Sequence, residues 1–173
     1  MAGPALRTDI IDVYVFRAGA RATTGPAFLQ LRRTVPPMAG SWQPVMGHVE
    51  PGETAADAAL RELAEETGYR PGHGLVGLWQ LELVNTFYLA ASDEVYLCPG
   101  FAAQVDAAIE PVLDNAHDAH RWVKRDHADR EFLWPGQRAA IEHIVRDMVQ
   151  PDSPMAPRLK VSIASSSTKG ELR

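Results

Sequence analysis

The sequence predicts an α/β sandwich built around a mixed β-sheet. Three observations support this prediction: apolar β-branched segments flank one well-marked helix on both sides, a second helical pattern follows the last strand, and no internal repeat is visible. The chain has 173 residues, of which 46% are hydrophobic and 23% charged. This balance is typical of a globular domain with its own core.

The early strands are predicted from segments rich in β-branched and aromatic residues. Residues 10–16 and 27–32 read as two strands, and residues 42–46 as a short extended segment. Asp12 is the only acidic residue in these segments. The sheet is therefore expected to be covered on both faces.

The best-defined element is the helix that follows Gly52. Thr54 suits the N-cap position, and Gly68 suits the left-handed position that ends a helix. Between them, apolar residues recur at helical spacing and predict one buried face: Ala56, Ala59, Leu60 and Leu63.

The second half of the chain predicts three more strands and one more helix. The strands cover residues 75–89, 94–101 and 120–123, and the helix opens at Pro135 and runs to about residue 149. From residue 151 the chain becomes rich in Pro and Ser. We therefore predict a domain over residues 1–150 and a flexible tail over residues 151–173.

Charge and composition exclude several classes of partner. The formal net charge of −5 gives no global positive field, which argues against nucleic acid polymers and anionic membranes as partners. No apolar segment approaches the roughly 18 residues of a spanning helix, and no signal-peptide pattern is present, so a cytoplasmic location is expected. The single cysteine, Cys98, is predicted to be a small buried side chain.

Three carboxylates are crowded on the first helix. Glu62, Glu65 and Glu66 fall within an arc of about 100° on one helix face, where like charges repel. Clustered carboxylates are hard oxygen ligands suited to Mg²⁺ or Mn²⁺ rather than Zn²⁺. A divalent ion would turn this repulsion into binding. The alternative is a solvated helix face on which Arg61 pairs with Glu65.

The residues around the cluster favour the metal site. The segment 47–69, GHVEPGETAADAALRELAEETGY, resembles the Nudix box at all of its 23 positions. The matching residues are Gly47, Glu53, Arg61, Glu62, Glu65, Glu66, Gly68 and the apolar Tyr69. The resemblance extends over about residues 9–149, because the order of strands and the late helix also match. It implies a Nudix-type α/β/α sandwich and hydrolysis of a nucleoside diphosphate linked to another moiety.

The resemblance also implies roles within the box. By position, the metal ligands are Glu62, Glu65, Glu66 and the carbonyl of Gly47, and the cofactor is Mg²⁺ or Mn²⁺. Arg61 orients a carboxylate of the cluster, and Glu53 binds the metal through water or braces the loop. Glu65 is our choice for the base that deprotonates the attacking water, so the catalytic group is Glu65, Arg61 and Glu53.

The segment GSWQPVMGHVEPGET, preceded by LQLRR, is similar to the branch of dATP and dihydroneopterin triphosphate pyrophosphatases. This implies a small nucleotide-type substrate and release of pyrophosphate. The candidate substrate-binding residues are Arg32 for phosphate, Trp42 for stacking, and Gln43, Asn85, Tyr88 and His117. For each of them the alternative is an ordinary structural role.

Ala116 departs from that branch, which has a metal-site glutamate at this position, just before the residue matching His117. Asp114, Asp118 or Glu110 are alternatives for the missing carboxylate, and a site with fewer ions is another. Two further functions stay open: hydrolysis of a dinucleoside polyphosphate such as diadenosine tetraphosphate, and a non-catalytic nucleotide-binding module. The oligomeric state is open too, with a homodimer among the alternatives.

Overall fold

A computed structural model describes residues 3–19, 25–36, 38–150 and 152–163. The strands are β1 (Ala5–Arg7), β2 (Ile10–Arg17), β3 (Ala27–Arg33), β4 (Trp42–Gln43), β5 (Val45–His48), β6 (Arg70–Pro71), β7 (Gly74–Leu89), β8 (Glu94–Val105) and β9 (His117–Lys124). The helices are α1 (Ala55–Thr67), α2 (Ala128–Glu131), α3 (Pro135–Ile144) and α4 (Ala156–Leu159). A 3₁₀ turn (Arg125–His127) precedes α2, and a π-helical turn (Val145–Val149) continues α3.

Within the described residues nine strands form one sheet, and it is mixed, as the sequence predicts. Strand β2 lies at its centre and pairs parallel with β8 along one edge. Along its other edge β2 pairs antiparallel with β5 in its first half and with β3 only at its C-terminal end. Strand β5 is therefore held against the central strand β2. This pairing places Gly47 opposite Ile11.

Helices cover both faces of this sheet. On one face α1 packs on a core that includes Ile11, Val13, Leu63 and Phe101. On the other face α3 packs on a second core that includes Tyr14, Phe16, Trp79 and Ile141. The α/β/α layering confirms the predicted fold class.

Several short elements were not predicted. Strands β1 and β6 and helices α2 and α4 have between two and four residues each, too few to show a period in the sequence. Strand β9 is longer than the predicted 120–123 and begins at His117. These additions change the edges of the fold and leave its layers as predicted.

The segment after α3 differs from the flexible tail that the sequence predicts. Residues 152–163 pack against the sheet: Leu159 is buried, and the Val161 N–H donates to the Leu78 carbonyl oxygen at 2.9 Å. Three apolar side chains anchor this segment: Leu159 packs in one core, and Val161 and Ile163 pack against the other. The Pro- and Ser-rich composition did not indicate this packing. Residues 164–173 lie outside the described part of the chain.

None of the helices within the described ranges is long and apolar enough to cross a membrane.

Candidate active site

Helix α1 is fixed at both ends by the residues that the sequence predicts. The Thr54 hydroxyl oxygen accepts from the Asp57 N–H at 3.2 Å, which satisfies one of the free donors of the first turn. Gly68 adopts a left-handed conformation with φ of 76°, and its N–H donates to the Ala64 carbonyl. Ala59 and Leu63 are fully buried, while Leu60 is only partly buried. The helix is therefore a rigid support for its acidic residues.

Gly47 and Glu62 are in direct contact. A Cβ atom at Gly47 would lie 1.9 Å from the Cδ atom of Glu62, so any larger residue would displace the carboxylate. The Glu62 side chain is only 14% exposed as a result. Glycine at this position thus leaves room for the Glu62 carboxylate to lie against strand β5, where a Cβ atom would displace it.

Arg61 ties the loop and the helix together. Its Nε and Nη2 atoms donate to the two carboxylate oxygens of Glu53, both at 3.0 Å. Nη1 donates to Glu62 at 2.8 Å, and Nη2 also donates to the His48 carbonyl at 2.7 Å. The hydrogen bonds from Arg61 lower the pKa of Glu53 below its ordinary value. Arg61 therefore offsets part of the repulsion among the clustered carboxylates.

Glu66 points into the protein. It is 6% exposed, and among the described residues its Oε2 atom has no hydrogen-bond partner. The pKa of Glu66 is raised to about 8, chiefly by burial and also by the negative charges of Glu62 and Asp114, against opposing contributions from the Met46 backbone and Arg33. Without a metal, this carboxyl group is mostly protonated at neutral pH.

Glu65 has a different orientation from the other two glutamates. Its side chain is 58% exposed, and its only ion pair within the described ranges is a 3.3 Å contact with Arg61. The predicted common orientation of the three carboxylates therefore describes Glu62 and Glu66 better than Glu65. The i,i+4 pairing with Arg61 that the sequence offered as an alternative is present as well.

These residues fit a hard divalent cation. All of the predicted donors are carboxylate or carbonyl oxygens, the set that Mg²⁺ and Mn²⁺ prefer, and the Oε2 atom of Glu66 has no hydrogen-bond partner among the described residues. In the described part of the chain no three acidic, His or Cys side chains are already arranged around a metal position. The Glu62 carboxylate is engaged by Arg61 instead. Glu62, Glu65, Glu66 and the carbonyl oxygen of Gly47 remain the groups predicted to hold the ion.

Three candidate substrate-binding residues lie on β3 and β4. Arg32 donates to Asp118 at 2.7 and 3.0 Å, and its guanidinium carbon lies 5.8 Å from the centre of the Trp42 ring. Arg121, which the sequence analysis did not single out, lies closer to that ring, at 4.5 Å. Gln43 is buried beside them in β4. The β3–β9 pairing that places Arg121 here is a long-range contact with no local signal.

The two candidates on β7 lie on opposite faces of the strand, because residues 85 and 88 have opposite parity. Asn85 is half-buried against α3, where a Cβ atom at Gly136 would lie 2.1 Å from its Oδ1 atom. Tyr88 is 55% exposed near the β7–β8 turn, and its hydroxyl donates to Asp93 at 2.9 Å. The structure does not bring Tyr88 together with the carboxylate cluster.

His117 is buried at the start of β9, and its Nδ1 atom lies 2.8 Å from Oδ1 of Asp114.

Cys98 is fully buried, as predicted, and burial raises the pKa of its thiol far above the ordinary value. Such a thiol is not a nucleophile.

Comparison with known proteins agrees with this geometry. The family model for the NUDIX domain matches residues 7–144. The chain is 35% identical over 106 residues to the asymmetrical bis(5'-nucleosyl)-tetraphosphatase of Sus scrofa, covering 58% of this chain and 67% of that protein. It is also 35% identical over 144 residues to an octanoyltransferase of Myxococcus xanthus, covering 82% of this chain but only 37% of that protein.

Solved structures share the fold. An Ap4A hydrolase of C. elegans superposes with a TM-score of 0.63 at 22% identity, over 80% of this chain and 95% of that one. The dihydroneopterin triphosphate pyrophosphohydrolase of E. coli gives a TM-score of 0.63 at 24% identity, over 79% and 94% of the two chains. Sequence, fold and site geometry lead to one conclusion: the chain belongs to the Nudix hydrolase family.

Proposed function

We propose that this protein is a metal-dependent pyrophosphohydrolase that cleaves a phosphoanhydride bond in a small nucleotide-type substrate. The observation that carries the proposal is the contact between Gly47 and Glu62 beside the buried, unpartnered Glu66. A surface helix with solvated glutamates would need neither the glycine nor a buried carboxyl group without a partner. Family membership supports the same reaction class.

Each residue of the cluster has a task in this reaction. Bound Mg²⁺ or Mn²⁺ would neutralise negative charge on the phosphate chain. Glu62 and Glu66 would hold that ion, and Arg61 keeps Glu53 and Glu62 in place through its hydrogen bonds. Glu53 in turn braces the loop, since its carboxylate also accepts from the Glu50 N–H at 3.1 Å.

Glu65 is the group proposed to accept the proton of the attacking water. It is the most exposed of the three glutamates, so it can reach a water molecule outside the protein surface. The water oxygen forms a bond to phosphorus, the bond from phosphorus to the bridging oxygen breaks, and the leaving phosphate carries the negative charge away. Glu65→Gln should abolish turnover, whereas near-normal turnover would move the base role to Glu62, Glu66 or Glu53.

For the substrate we favour a dinucleoside polyphosphate. Relatives that are 33–35% identical over about 100 residues carry the name of bis(5'-nucleosyl)-tetraphosphatase. A (d)NTP or dihydroneopterin triphosphate is the second candidate, favoured by the segment GSWQPVMGHVEPGET. For either substrate, Trp42 offers a ring for stacking, and Arg32 and Arg121 offer cations beside it. Octanoyl transfer is not proposed, because the match covers 37% of that relative's length.

Product analysis tests the proposal and separates the substrates. The protein is incubated with Mg²⁺ and, in turn, diadenosine tetraphosphate, dATP and dihydroneopterin triphosphate. ATP with AMP marks asymmetrical cleavage of the dinucleotide, while pyrophosphate with a monophosphate marks the second candidate. Glu62→Gln serves as the inactive control. Hydrolysis that continues undiminished in excess chelator, or no hydrolysis of any of the three, contradicts the proposal.

A further inference from the structure

We propose that a cleft between the first turn of α1 and the C-terminal segment is a second ligand site, which binds a phosphate-bearing small molecule without a metal. The cleft is lined by residues 54–56, 80–81, 99–101 and 158–161, and its volume is about 540 Å³. Pockets of this size hold small organic ligands. None of the residues predicted to bind the metal lines it, so the cleft is distinct from the carboxylate cluster.

Most of the side chains that line the cleft are apolar. They come from α1 (Ala55 and Ala56), from β7 (Leu81) and from β8 (Pro99 and Phe101). An apolar lining offers contact area to the organic part of a ligand, while a few polar groups fix its orientation. The cleft therefore suits a molecule that has an apolar body as well as a charged group.

The charged groups that line the cleft are both basic. They are Arg158 and Lys160, and none of the described residues in the lining is acidic. The acidic residues nearest in the chain to the lining segments, Asp57 and Glu82, lie outside it. Within the described ranges the Arg158 side chain donates only to the Pro154 carbonyl oxygen, at 2.5 Å. Two cations without an acidic partner attract an anion, even in a protein whose formal net charge is −5.

The two cations are held in place by the residues beside them. Leu159 is buried in the core under α3, and Val161 packs against the core under α1. Arg158 and Lys160 are exposed on either side of Leu159, so the segment alternates between exposed and buried positions. The backbone of Lys160 forms a bridge with Trp79, and its ammonium nitrogen lies 5.8 Å from the centre of that ring. This anchoring lowers the entropy cost of bringing both cations to one ligand.

The kind of cation points to phosphate as the anionic group. The planar guanidinium of Arg158 matches two phosphate oxygens at once, and Lys160 adds a point charge beside it. These two cations supply the positive charge themselves, so binding needs no metal. The carboxylate cluster is negative and would bind a phosphate only through a bound cation. Metal dependence therefore distinguishes the two sites.

Isothermal titration calorimetry with AMP in excess chelator tests this inference, because the chelator removes metal-dependent binding at the carboxylate cluster. We expect saturable binding of AMP to the unchanged protein. Arg158→Ala combined with Lys160→Ala should weaken AMP binding by about tenfold or more, since two charge-assisted contacts are lost. Lys124→Ala combined with Arg130→Ala is the matched control, because it removes two exposed positive charges outside the cleft. This control should bind AMP as the unchanged protein does.

Adenosine, which lacks the phosphate, should bind at least tenfold more weakly than AMP. The inference is overturned if AMP does not bind in chelator, if adenosine binds equally well, or if the Arg158 and Lys160 variant keeps full affinity. An equal loss in the control pair would mark a general charge effect and overturns it too.

If the Arg158 and Lys160 variant fails to fold, ¹H–¹⁵N NMR of the unchanged protein decides. Added AMP should shift the amide signals of Ala55, Ala56 and Phe101, which line the cleft. Shifts confined to other regions overturn the inference. None of these outcomes bears on the proposed hydrolysis, because every measurement is made without metal.

Discussion

The carboxylate cluster on α1 and the patch around Trp42 balance their charges differently. In the cluster, the Arg61 guanidinium forms ion pairs with three carboxylates, those of Glu53, Glu62 and Glu65. The fourth, Glu66, is buried. In the Trp42 patch each arginine has its own carboxylate: Arg32 pairs with Asp118 and Arg121 with Glu131. The cluster therefore has an excess of negative charge, whereas the patch is neutral.

This difference separates two tasks. A region short of positive charge gains free energy when it binds a cation, and it holds that cation on a rigid helix. A neutral patch with a half-buried ring gains little from a metal and contributes through stacking and hydrogen bonds to a substrate. Substitutions in the cluster should therefore change metal affinity and kcat, and substitutions in the patch should change KM.

The largest effect is expected in the cluster. Glu62→Gln should lower kcat by about 10³-fold or more and weaken Mn²⁺ binding, because it removes a ligand charge. The metal-free protein should melt at the same or a higher temperature, since one repulsive charge is lost. Glu50→Gln, on the exposed loop, is the control and should keep normal turnover. Normal turnover in Glu62→Gln would remove the cluster from the reaction.

The second largest effect is expected for Arg61, the residue that offsets the negative charge of the cluster. Arg61→Ala should destabilise the metal-free protein, because it leaves Glu53 and Glu62 without the partner that offsets their mutual repulsion. Urea unfolding with chelator present measures this, and Arg70→Ala, whose side chain bonds only to the Gly68 carbonyl within the described ranges, is the control. Added Mg²⁺ should restore part of the loss. Equal stability of the two variants would mean that Arg61 does not offset the cluster's charge.

The stability of the metal-free protein should depend on pH through Glu66. The pKa of Glu66 rises from 4.5 to about 8 on folding, so the folded state holds a proton that the unfolded state has lost. Stability from this group is fully present below about pH 4.5 and is lost as pH rises towards 8. The metal-free melting temperature should fall over this window, and Glu66→Gln should flatten the fall. An identical slope in both proteins would contradict the burial of a protonated Glu66.

The smallest effect is expected in the patch. Trp42→Ala should raise KM by about 2–10-fold with little change in kcat, the loss expected for one stacking contact. Steady-state kinetics on the substrate that the product analysis selects measures it, with Trp134→Ala as the control, because Trp134 is exposed at the start of α3. A drop in kcat equal to that of Glu62→Gln would mean that the two regions do not have separate tasks.

The same two regions show what the sequence could predict. The helix, its caps and the Gly47–Glu66 cluster follow from neighbours within about one loop and one helix, where spacing determines which residues meet. The surroundings of Trp42 and Asp114 depend on the pairing of β3 with β9 and on the docking of residues 106–116, both of which join segments far apart in the chain. No local pattern encodes such contacts. For the same reason Arg121 went unnoticed.

The central claim is that the carboxylate cluster is a metal site whose buried Glu66 exchanges a proton for the ion. Calorimetric titration with Mn²⁺ at about pH 7, in two buffers of different ionisation enthalpy, tests it most directly. The account predicts binding to the unchanged protein with release of close to one proton per ion, and loss of that release in Glu66→Gln. No binding, or a binding heat that is the same in both buffers, would contradict it.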